Sequence, residues 1–113
     1  MPNKKEQKAA YKQMKFQMGV FQIKNRSNNK VLIDNSTDIP SKWNRHKMEL
    51  RFGNHKNQEL QQDWNSGGEN NFVVEVLAEL KENEEQTIPY QRELKALQKQ
   101  TIEKLNLPAE LRY

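Results

Sequence analysis

The chain of 113 residues has no cysteine. That excludes disulfides and thiolate metal sites, and it fits a reducing compartment. Glycine is scarce, at four residues, and none forms the kind of loop that cradles a phosphate. No apolar run approaches the roughly 20 residues needed to cross a bilayer. The opening MPNKKEQKAA is charged with no apolar stretch behind it, so it does not read as a secretory signal. There is no serine–histidine–acid spacing, no cofactor fingerprint, no internal repeat and no low-complexity tract. Two histidines and scattered acids are a weak metal signal. The expectation is a cytoplasmic protein of one domain, with no membrane role, no metal site and no cofactor.

What the chain does have is charge, unevenly spread. Charged residues make up 30% of it, with a net charge of +4. Residues 1–58 carry 13 Lys and Arg against 4 Asp and Glu, a net of +9, while residues 59–113 carry 6 against 11, a net of −5. A basic half suits a phosphate backbone, because each neutralised phosphate releases counterions. A solvated mixed-charge surface gives the same count.

Hydrophobic periodicity divides the chain into elements. Residues 3–17 read as a basic amphipathic helix with Ala10, Tyr11, Met14 and Met18 on one stripe. Gly19 stops it and opens a strand. Residues 20–24 and 30–33 are β-branched runs, joined by an asparagine-rich turn at 25–29 that tolerates positive φ. Asp38 is an N-cap with Pro40 in the first turn, and the helix runs to about Arg51. Its stripe is Ile39, Trp43, His46 and Leu50, which directs His46 toward the core. Gly53 ends that helix. A second helix spans 57–65 with Leu60, Gln61 and Trp64 inward, closed by Gly67 and Gly68. Residues 72–80 alternate as a third strand with one fully apolar face. A charged linker at 81–86 leads to a last helix striped by Tyr90, Leu94, Leu97, Thr101 and Leu105. Pro108 bounds it. The pattern is α+β: a small three-stranded sheet covered by helices, with an extra N-terminal helix. The segments are 1–18, 19–107 and a loosely held tail at 108–113. Trp43 and Trp64 read as core residues before base-stacking platforms.

The run from Gly19 to about Leu77 carries a more specific signal. Gly19-Val20-Phe21 is followed eleven residues later by Leu32-Ile33-Asp34. The asparagine turn, Trp43-Asn44-Arg45-His46, Gly53-Asn54-His55 and the Leu60 to Gly68 run follow in order. This arrangement resembles the GIY-YIG endonuclease family. The resemblance implies a fold in which two triplets on neighbouring strands each supply a tyrosine hydroxyl. It also implies phosphodiester hydrolysis with a divalent metal, a helix arginine that steadies the phosphate, assisting histidines, and a metal-holding glutamate on the last helix.

Carried over residue by residue, those positions are Phe21, Leu32, Lys42, His46, His55 and Gln98. Phe21 and Leu32 have no hydroxyl. Lys42 keeps the charge of the arginine but not its bidentate fork. Gln98 has no anionic oxygen. Asp34 replaces a glycine near the expected scissile phosphate. The expectation is a nuclease-like domain with a degenerate active site, inactive or very weak, binding nucleic acid through Lys24, Arg26, Lys30, Lys42, Arg45 and Lys47. Magnesium or manganese belongs there only if activity is retained. Two alternatives stand beside it. One is a protein-interaction or inhibitor module on a nuclease fold. The other is an active endonuclease in which Asp34, His46, His55 and Glu93 or Glu103 bind a metal afresh.

Overall fold

The computed structural model describes residues 17–81 and 89–113. The helix expected over 3–17 and most of the charged linker lie outside them. Strand β1 (Gly19–Asn25) and strand β2 (Val31–Ser36) form an antiparallel hairpin, and strand β3 (Phe72–Glu79) pairs antiparallel with the other edge of β1. The sheet order is β2-β1-β3. Helix α1 (Ile39–Arg51) and helix α2 (Gln58–Gly67) lie between β2 and β3 in sequence, and helix α3 (Tyr90–Leu105) follows β3. The architecture is α+β, as the periodicity implies.

The turn residues explain the hairpin. Asn29 adopts φ 63°, a left-handed conformation that asparagine tolerates better than most residues. Asn25 anchors the turn by accepting the Ser27 amide proton at 2.9 Å. Gly19 is required for a different reason. A Cβ there would stand 2.0 Å from the Ala78 carbonyl oxygen, so only glycine lets β1 and β3 meet at that point.

Alternation along β1 sorts the two sheet faces. Phe21 and Ile23 are fully buried and form a core with Ile39 and Leu50 of α1, Leu60 and Trp64 of α2, and Phe72 of β3. Trp43 packs against this core, its ring edge-on to Trp64 at 6.4 Å between centroids. Val20 and Leu94 are buried on the opposite face, where α3 packs against β2 and β1. The helix ends follow local chemistry. Asp38 caps α1 by accepting from the Ser41 amide at 3.2 Å. Asn57 caps α2 by accepting from the Leu60 amide at 3.0 Å. Gly53, at φ 77°, takes the left-handed turn after α1.

Two expectations need correction. The apolar face of β3 does not stay covered, because Val76 is 40% exposed. The strand is at the sheet edge, and its pairing with β1 shifts register between Val20 and Phe21. The C-terminal tail is not loose. Its Ala109–Leu111 turn leads Arg112 into a bridge with Val31, and the Tyr113 amide donates to the Val31 carbonyl at 3.0 Å. The Tyr113 hydroxyl donates to Asp63 Oδ2 at 2.6 Å and accepts from Asn25 Nδ2 at 2.9 Å. Burial and the Asp63 contact push that phenol up to about 12.

Candidate functional site

The paired strands bring the two triplets together. Phe21 stands opposite Asp34, and Ile23 opposite Leu32. Cross-strand partners share a face, so Phe21, Leu32 and Asp34 all face α1. Helix α1 places Lys42 and His46 one turn apart on its near side. The Gly53 turn returns the chain so that His55, also buried, reaches His46. Five of the six expected positions therefore meet: Phe21, Leu32, Lys42, His46 and His55.

Gln98 does not join them. It comes from α3, and its carboxamide bonds the Ile33 carbonyl at 3.0 Å and the Asn35 side chain. Ile33 and Asn35 pair with Gln22 and Val20, which places their side chains on the other sheet face.

The polar centre is a directed chain of hydrogen bonds. The Asn57 amide donates to His55 Nδ1 at 3.0 Å. That nitrogen must hold a lone pair, so a neutral His55 carries its proton on Nε2. His55 Nε2 lies 2.8 Å from His46 Nδ1, which must then accept. His46 Nε2 is left protonated and donates to Asp34 Oδ2 at 2.9 Å. The tautomers of both rings thus follow from one backbone amide. Burial and the neighbouring His46 lower the His55 pKa, which favours the neutral form this arrangement requires.

Asp34 is held at four points. Its Oδ1 accepts from the Asn35 amide at 2.8 Å, and its Oδ2 accepts from His46. The Lys42 ammonium stands 4.0 Å from Oδ2, and β2 fixes the backbone. Burial would raise this carboxyl, but the bonds from His46 and Asn35 and the charge of Lys42 together lower it. Asp34 is therefore an anion near neutrality. Phe21 lines the floor, its ring edge-on to His46 at 6.2 Å between centroids. It is wholly inaccessible, and Leu32 packs against the same core. Where the resemblance implies hydroxyls, the site holds packed hydrocarbon.

The donor set does not fit a divalent cation. Both nitrogens of His46 and both of His55 are consumed within the chain of bonds. Asp34 has Lys42 beside it, which repels a metal. Among the described residues, no group of three or more His, Asp or Glu is placed to hold a metal ion. Asp34, His46 and His55 do come together, as the metal alternative requires, but as donors and acceptors to one another.

The six basic positions come from the hairpin and from α1. Lys42, Arg45 and Lys47 lie on α1. Arg45 is 3.7 Å from Glu49, and Lys47 lies over the Trp43 ring at 5.4 Å. Lys24 projects from β1 to the sheet face opposite Ile23. Arg26 is exposed in the turn. Lys30 is ion-paired with Glu59 and lies over the Tyr113 ring at 5.6 Å. No helix among the described residues is long and apolar enough to cross a membrane.

At the histidine chain, sequence reasoning missed the partners and not the residues. Asp34, His46 and His55 each draw notice alone, but no spacing rule says that His46 lies between the other two. The second polar cluster, of Asn25, Asp63, Asn71 and Tyr113, had no local signal. Its members are 88 positions apart at the extreme.

No family model matches the chain. It is 37% identical over 76 residues to intron-associated endonuclease 1 of Enterobacteria phage T4, an alignment covering 67% of this chain. The chain spans about a quarter of that protein's length, 27%. Its structure is similar to the catalytic domain of the homing endonuclease I-TevI. The superposition gives a TM-score of 0.64 with 30% identity and covers 79% of this chain and 88% of that one. A glutamate-to-alanine mutant of the same catalytic domain matches with a TM-score of 0.66, at 30% identity, over 80% of this chain and 86% of the other.

Proposed function

The chain belongs to the GIY-YIG endonuclease family, and we propose that it is a degenerate member, inactive or very weak as a nuclease, which binds nucleic acid through its phosphates. The observation that carries this reading is the burial of Phe21 beneath a closed Asp34–His46–His55 chain. A hydroxyl that activates water must meet that water. Phe21 has neither the group nor the access. General acid–base help is worth about 10²–10⁴-fold, and Leu32 removes a further polar group from the positions the family uses. The related T4 protein is named an endonuclease, and nucleic acid is the partner that this kinship favours here.

Helix α1 is the favoured contact, with Lys42, Arg45 and Lys47 along it and Arg26 at the hairpin tip. The internal ion pairs do not oppose this. An exposed pair such as Arg45–Glu49 is worth about 0–1 kcal/mol, so a phosphate can replace the glutamate at little cost. Binding of this kind is salt-sensitive and weak in sequence preference.

The test is direct. The chain should bind a short duplex with affinity that falls steeply between low and moderate salt. It should leave the duplex uncut in magnesium or manganese. Lys42→Ala with Arg45→Ala should weaken binding. Cleavage that disappears with His46→Ala would instead establish an active enzyme with an altered site. Salt-independent binding would rule out the phosphate reading.

A second reading has its own observation. Met48 and Phe52 are 55% and 75% exposed. They border an open depression of about 440 Å³ with Ser41, Asn44, Arg45, Glu49 and Asn54. That surface suits a protein-docking module. A stoichiometric partner lost on Met48→Ser with Phe52→Ser, without measurable duplex binding, would favour it.

A further inference from the structure

We propose that the Asp34 carboxylate is an internal phosphate mimic, an autoinhibitory anion that occupies the groups a nucleic-acid phosphate would otherwise engage. The proposal rests on the nucleic-acid reading above. It concerns Asp34 alone, a residue that stands where the resemblance implies a glycine with no side chain.

The geometry is that of a bound anion. Asp34 receives an imidazole N–H from His46 at 2.9 Å and a backbone N–H from Asn35 at 2.8 Å. It faces the Lys42 ammonium at 4.0 Å. Imidazole, amide and ammonium donors are the types that bind phosphate oxygens through charge-assisted hydrogen bonds. The anion here is covalently attached, so its local concentration far exceeds that of any phosphate in solution.

The arrangement also leaves a way in. The Asp34 and Lys42 side chains keep 26% and 35% of their exposure. Lys42 is therefore open to solvent on one side and held by a neighbouring negative charge on the other. A phosphate approaching Lys42 meets the carboxylate as a like charge within a few ångströms, where repulsion is only partly screened. His46 cannot turn away to serve an incoming anion, because its other nitrogen is already tied to His55. The His–His chain thus holds the donor on Asp34. Its amide-set tautomers keep the donating proton on the nitrogen that faces Asp34.

A carboxylate is not needed to satisfy His46. An asparagine oxygen accepts the same N–H without the charge. Asp34→Asn therefore separates the hydrogen bond from the electrostatic block. Asp34→Ser serves as a second variant should the asparagine one misfold, and a thermal melt checks both.

The experiment measures fluorescence anisotropy of a labelled duplex with wild type, Asp34→Asn, Lys42→Ala and the double variant across a salt series. Asp34→Asn should bind about 3- to 10-fold more tightly at low salt and steepen the log–log salt slope by about one, as one more phosphate is neutralised. Lys42→Ala should abolish that gain in the double variant. Unchanged or weaker binding by folded Asp34→Asn and Asp34→Ser, beside salt-sensitive binding by wild type, would overturn the proposal and spare the nucleic-acid reading. If no form binds the duplex, the nucleic-acid reading fails. Inorganic phosphate then decides the proposal, titrated against the His46 ring resonances. Resonances that move in Asp34→Asn and stay still in wild type support it. Resonances that move in neither sink it.

Discussion

The central strand is flanked by two half-buried polar clusters, each built around one aspartate. At one end Asp34 takes hydrogen bonds from His46 and the Asn35 amide, with Lys42 alongside. At the other Asp63 takes them from Tyr113 at 2.6 Å and from Asn25 and Asn28 at 3.3 Å each. The donors differ in kind. Asp63 is met by neutral groups from the hairpin turn and the C-terminus, segments far apart in sequence, and it works as a tether. Asp34 is met by an ammonium and by an imidazole whose tautomer is fixed from behind, and it resembles an occupied anion site. A hydrogen-bonded carboxylate is thus not informative by itself. The chemistry and sequence separation of its donors say what it does.

The largest expected effect strikes the floor shared by the whole sheet. Phe21→Ala should cost about 3–5 kcal/mol, since Phe21 is fully buried in the core beside Ile23 and Leu50, and urea unfolding would measure it. If the loss were small, the aromatic ring would have a purpose other than packing.

Next comes the tether. Asp63→Ala strands a half-buried phenol and two asparagine amides, and should cost about 2–3 kcal/mol. Tyr113→Phe removes the hydroxyl's two bonds, to Asp63 and from Asn25, and should cost about 1–2 kcal/mol. A double-mutant cycle on urea midpoints should find the two non-additive. Full additivity would mean that the tail is held by the Val31 backbone contacts alone.

The directed chain should respond less in stability than in ring chemistry. His46→Gln should lower stability by about 1–2 kcal/mol and relieve part of the depression of the His55 pKa, because His46 is its second cause after burial. An NMR titration of the His55 ring checks this. An unmoved His55 would leave burial and the nearby Lys56 charge as the causes.

The smallest effects are in pH, and the two ends should fail in opposite directions. His55 has a lowered folded pKa, so its contribution is present above about 6.5 and is lost as pH falls through the folded value. Asp34 is also lowered, and its contribution is lost further into acid, below the ordinary carboxylate range. Tyr113 is raised to about 12. Its contribution is complete below about 10, the ordinary phenol value, and is lost as pH climbs toward 12. Melting curves across pH should show an acid arm that Asp34→Asn flattens and an alkaline arm that Tyr113→Phe flattens. An alkaline arm that survives Tyr113→Phe would break the comparison.

Much of the fold is legible from local chemistry. Asp38 caps α1 as its position implies, Gly53 turns the chain after α1, and Leu60, Gln61 and Trp64 are the buried residues of α2. These features depend on neighbours within four residues, where backbone geometry leaves few choices. The exposure of Val76 was not legible, because alternation marks an apolar face but not whether a helix covers it. The tail was misread for a similar reason. Short polar segments look loose until a distant partner such as Asp63 is in place.

The sequence by itself determined the elements, their order and the kinship of the two triplets, together with the loss of both hydroxyls at Phe21 and Leu32. It did so because helix and strand periods, caps and turns are set by residues close along the chain. The tertiary structure alone decided that His46 stands between His55 and Asp34, that Gln98 lies across the sheet from them, and that Lys42 faces a carboxylate. Those pairings join positions 8 to 12 residues apart around a loop, and 65 apart across the sheet. Only the packing of α1 and α3 on opposite faces of one hairpin brings such atoms within hydrogen-bond reach or keeps them apart.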